Sequence, residues 1–113
     1  MTKGMRGVER LDAGSVASAD RTWAGNDESA RNHNGVVRLS ESPLTLALSW
    51  RYGKGKPATI VGCFRLDLPQ LLANGLVRAE RRGEVRLRFF HDHDGKIYLQ
   101  TRLDAPCFVL GKV

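Results

Sequence analysis

Apolar and polar residues begin to alternate at Val36, and the alternation continues through most of the remaining chain. VVRLS (36–40) and LTLALSWRY (44–52) have a period of two that puts Leu44, Leu46, Leu48 and Trp50 on one face, with Pro43 between the two runs. After the loop GKGKP (53–57), the stretch ATIVGCFRL (58–66) is mostly apolar on both faces, as a strand is when it lies centrally in a sheet. The pattern then changes. In DLPQLLANG (67–75), Asp67 suits an N-cap, Pro69 a first turn and Asn74-Gly75 a left-handed stop, which predicts a short helix over 68–74.

The segment after this helix can be placed in register, because a wrong pairing moves core side chains to the solvent face. A two-residue Asp94-Gly95 turn would set Leu87 opposite Arg102 and Phe89 opposite Gln100, mixing core and solvent positions. A three-residue loop His93-Asp94-Gly95, with the glycine left-handed in a bulge, sets Phe89 opposite Leu99, Leu87 opposite Thr101 and Val85 opposite Leu103. The same design at Arg81-Arg82-Gly83 closes Glu80 against Glu84, Ala79 against Val85 and Val77 against Leu87. The result is a meander over 76–80, 84–92 and 96–103, followed by a last apolar strand within APCFVLGKV. The fold class expected is therefore α+β, predominantly β: a bent antiparallel sheet or partly open barrel of roughly six to seven strands with one short helix.

Residues 1–34 lack such a pattern. They are rich in Gly, Ala, Ser, Asn and Asp, so the reading is a flexible N-terminal arm followed by a single β-rich domain over 35–113. Trp23 is the one large apolar group of that arm, either packing loosely on the domain or anchoring a partner. At 113 residues the chain has room for one small domain. Neither a membrane-length apolar run nor a signal-peptide core is present, so the expectation is a soluble cytoplasmic protein without a membrane partner. Cys63 and Cys107 match no metal or disulfide spacing and read as buried, unreactive thiols.

Charge sharpens the picture once it is divided along the chain. Basic and acidic groups cancel over 1–34, whereas 35–113 hold thirteen basic and seven acidic residues, so the whole formal +6 lies there. Nine of those thirteen are arginine, a side chain suited to planar, bidentate contact with phosphate or carboxylate. The bulged register sends Arg78, Arg86, Arg88, Phe90, Tyr98, Gln100 and Arg102 to the face away from the core, with Arg86 directly opposite Arg102. Like charges so opposed destabilise a sheet unless something negative lies over them. Lys54 and Lys56 of GKGKP extend the basic surface, although that loop lacks the helix and the Ser/Thr of a P-loop.

In the same register HDHD (91–94) is a hairpin end and not a metal centre: His91 falls on the core side, His93 in the loop, and no third ligand is close in sequence. No cofactor and no catalytic residue is assigned. The function expected is non-catalytic binding of single-stranded or structured RNA or DNA, or another polyanion, with guanidinium groups on phosphates and rings under bases. Two alternatives belong to other classes. One is a protein-interaction or homodimer module that uses the C-terminal strand as an edge. The other is a small basic nuclease with His91 or His93 as general base and Asp92 or Asp94 as its orienting group.

Overall fold

The computed structural model describes residues 7–26, 32–91, 96–100 and 108–112. The fold is α+β and predominantly β, with one short helix, as the pattern predicts. The described strands form two four-stranded sheets that remain separate and do not close into a barrel. The first sheet contains β1 (Val8–Arg10), β2 (Arg21–Asn26), β4 (Leu44–Arg51) and β5 (Ala58–Leu66), in the order β1-β5-β4-β2. The second contains β3 (Asn32–Arg38), β6 (Glu84–His91), β7 (Lys96–Gln100) and β8 (Phe108–Lys112), in that order.

The expected flexible arm is corrected by β1, β2 and β3. Glu9 pairs with Arg65, Trp23 with Leu48 and His33 with Phe89, so both sheets draw strands from residues 1–34 and the expected domain boundary falls inside β3. β1 and β2 lie at opposite edges of the first sheet, so the segment between them must cross one of its faces. The inner face is filled by Leu46, Leu48 and Phe64, and the crossing uses the other. A 3₁₀ turn over Ala13–Ser18 packs against β4 and β5 there, which accounts for the complete burial of Ala47 and Cys63 on that side. The crossing also makes β2 parallel to β4, the one departure among the described strands from the antiparallel pairing that was expected. Asp20 fixes the arrival point: its N–H donates to the Thr45 carbonyl and its carboxylate accepts from the Thr45 N–H, both at 2.8 Å.

The helix α1 (Leu68–Ala73) forms where its caps require it. The Gln70 N–H donates to Asp67 Oδ1 at 3.0 Å, and Gly75, at φ 71°, lets the Leu76 N–H reach back to the Leu71 carbonyl. The Arg81-Arg82-Gly83 corner also forms, with Gly83 at φ 69° and a Glu80 N–H to Glu84 carbonyl bond of 2.6 Å. Residues 76–80 nevertheless give only an isolated bridge, Ala79 to Val85, and not the predicted strand. The neighbour of β6 is β3, paired through Gly35–Leu87 and Val37–Val85. VVRLS accordingly divides, its first residues ending β3 and its last entering a 3₁₀ turn at Leu39–Glu41. The hairpin from β6 to β7 has the predicted bulged register, with Phe89 opposite Leu99 and His91 opposite Ile97. The pairings expected of residues 101–103 lie outside the described residues.

The core fills the space between the sheets. Phe64 stacks on Phe89 with ring centroids 5.9 Å apart, and Trp23 meets Phe89 edge-on at 6.1 Å. The small residues opposite these rings are required by space: a Cβ on Gly35 would lie 2.7 Å from the Trp23 ring. Trp23 therefore packs on the core and is no free anchor. None of the described helices is long and apolar enough to cross a membrane. Trp23→Ala is expected to lower unfolding free energy by about 3 kcal/mol, the low end for a large aromatic that is not fully buried. Chemical denaturation checks this, and a loss under about 0.5 kcal/mol, the size of a surface substitution, contradicts the packing described.

Candidate nucleic-acid interface

Alternation along β6 sends Val85, Leu87 and Phe89 into the core, where each is fully buried, and so turns Glu84, Arg86, Arg88 and Phe90 outward. The flanking registers add to this outer face. Arg38 lies opposite Glu84, Val36 opposite Arg86 and Asn34 opposite Arg88 on one side; Gln100 lies opposite Arg88 and Tyr98 opposite Phe90 on the other. The structure thus brings together Arg86, Arg88, Phe90, Tyr98 and Gln100 as the register predicted. Lys96 continues the β7 side of the same face and is exposed.

The remaining predicted residues are placed differently. Arg102 lies outside the described residues, so its pairing with Arg86 is not part of this geometry. Arg78 is exposed on the irregular segment before β6 and does not belong to a strand row. Lys54 and Lys56 are exposed on the turn between β4 and β5, in the other sheet. That turn closes on itself through the Lys56 N–H and the Gly53 carbonyl at 3.1 Å, which engages one of the amides a phosphate cradle would need.

Sequence reasoning missed Asn34 and Arg38. Their signal was present in NHNGVVR, where His33, Gly35 and Val37 alternate with Asn34, Val36 and Arg38, but Gly and Asn in that run read as loop composition.

The charges on the face differ in how they are held. Arg88 lies over the Phe90 ring, 5.2 Å from its centroid, in a cation–π contact that orients the guanidinium. Arg86 approaches Glu80 at 3.7 Å, but both side chains remain about half or more exposed, so the pair is a weak, screened one. Glu80 and Glu84 stand at one end of the face beside the exposed Arg38, Arg81 and Arg82, so that end carries both signs of charge. Nearer the hairpin, the described outward residues are Arg88, Lys96 and the half-buried Phe90 and Tyr98. At the edge of the sheet Arg21 crosses from β2 to donate to the Val36 carbonyl at 3.3 Å and to Glu41 at 2.6 Å.

The buried histidine and cysteine, His33 and Cys63, lie elsewhere. His33 is 2% exposed, with Nε2 donating to the Ser49 carbonyl at 2.8 Å and its ring 5.0 Å from Trp50, so it is committed between the sheets. Residues 92–95, and with them most of HDHD, lie outside the described residues. No group of three or more His, Cys, Asp or Glu side chains comes together among those described. Cys63 lies under the crossing segment, and burial pushes its thiol above the ordinary value of 9.0. No family model, curated protein or solved structure matches the chain, so its chemistry is read from these residues alone.

The raised thiol value has a stability consequence. Folding favours the neutral form, so this contribution is whole below 9.0, where the thiol is neutral in both states, and is lost as pH rises through the higher folded value. In a Cys107→Ser background, Cys63 is expected to react with a thiol reagent at neutral pH only as fast as the protein unfolds. Rapid labelling of the folded protein contradicts the burial described.

Proposed function

We propose that the protein binds single-stranded RNA or DNA on the outer face of the sheet formed by β3, β6, β7 and β8, without acting on it chemically. The observation that supports this most is that Arg86 and Arg88 share one strand face with Phe90 and Tyr98. Guanidinium groups neutralise phosphates, and ring faces support unstacked bases whatever their sequence. A duplex reader needs an element that enters a groove. The only α-helix among the described residues, Leu68–Ala73, has Leu68 and Leu71 fully buried and cannot supply one.

The ligand's charge gives the test. With about four basic contacts to phosphate the log–log salt slope is about −3, so binding weakens roughly sixty- to a hundredfold between about 50 and 200 mM salt. Arg86→Glu combined with Arg88→Glu is expected to weaken oligonucleotide binding at least about a hundredfold and flatten the slope by about 1 to 2. Filter binding or fluorescence anisotropy reads both quantities. Unchanged affinity in the double variant, with its fold intact by circular dichroism, removes this reading.

A further inference from the structure

We infer that this face selects purine bases. The inference deepens the proposed single-strand function and depends on it. Stacking alone is tolerant of sequence, since every base has a π-face, so selectivity requires polar groups within reach of base edges. The sheet supplies such groups in one row. Asn34 on β3, Arg88 on β6 and Gln100 on β7 lie side by side across three strands. Asparagine and glutamine make paired hydrogen bonds to adenine N6 and N7, and arginine makes them to guanine O6 and N7. Pyrimidines lack N7 and offer such groups only their Watson–Crick edge, so the selection inferred is for bases whose N7 edge faces the row.

The neighbouring row explains how a base would be presented to these groups. Phe90 and Tyr98 lie opposite each other two residues farther along, about 7 Å from the Asn34-Arg88-Gln100 row. A base resting on the Tyr98 ring or on the Arg88 guanidinium plane would project its edge over that row. Because Arg88 is already held over Phe90 at 5.2 Å, less side-chain freedom is lost when it meets a base. Purines also present the larger stacking surface.

The test is fluorescence anisotropy with short labelled single strands of adenine alone, of thymine alone, of cytosine alone, and of a thymine–guanine repeat, at one fixed salt concentration. Purine-containing strands are expected to bind roughly tenfold more tightly than thymine or cytosine strands, the discrimination of a single good bidentate contact. Asn34→Ala and Gln100→Met should each reduce the purine-to-thymine affinity ratio at least about threefold, with folding verified by thermal denaturation. Equal affinity for all strands overturns purine selection while leaving single-strand binding in place. A preference for pyrimidines overturns it likewise. Failure of every strand to bind removes both this inference and the function on which it rests.

Discussion

The contact between Phe64 of one sheet and Phe89 of the other is the constraint on which the architecture depends. A stacked aromatic pair between sheets requires close approach, and the chain provides it by setting glycine where a Cβ would collide with a ring. Gly35 faces Trp23, Gly25 faces Trp50 and Gly62 faces Phe64 itself. Once the rings are seated, β2 must lie beside β4 and β3 beside β6. The inner face of each sheet is then filled, and the polar half of each alternating strand has only the outside to occupy. The outward row of arginines is thus a consequence of aromatic packing on the opposite side of the same strands.

The two outer faces have different fates. That of the first sheet is crossed by the segment joining β1 to β2, which buries Ala47 and Cys63. That of the second sheet carries Arg38, Arg86 and Arg88 with half-buried Phe90 and Tyr98. Glu80 and Glu84 are interspersed there with Arg38, Arg81 and Arg82, while Phe90 and Tyr98 lie farther along with Arg88 and Lys96, an arrangement that net charge alone does not convey. A chain of uniform +6 would attract polyanions generally. A face that sets two rings among guanidinium groups is what the proposed ligand, offering phosphate and base together, requires.

Much of this was legible in the sequence, and the failures have identifiable causes. Asp67, Pro69 and Gly75 marked the helix because capping and left-handed geometry are local requirements. Phe89 and Leu99 could be paired because a one-residue slip would have exposed the core. The N-terminal strands were not legible, since β2 is a parallel edge strand whose partner lies more than twenty residues away and whose Ala24 and Gly25 look like linker. Gly25 and Gly35 are there to admit tryptophan rings, and composition cannot distinguish that use of glycine from flexibility. For the same reason Asn34 and Arg38 were absent from the expected site. Residues 76–80 failed in the opposite sense: their hairpin corner is real, but the place beside β6 belongs to β3, a long-range pairing that no local signal announces.

The most direct test of the account is backbone amide chemical-shift mapping of the protein titrated with a short single-stranded oligonucleotide. The account predicts that the largest changes cluster on Asn34, Arg88, Phe90, Tyr98 and Gln100, three neighbouring strands on one face. Changes centred instead on the β4–β5 turn or on the outer side of the first sheet, or no saturable change at low salt, would contradict it.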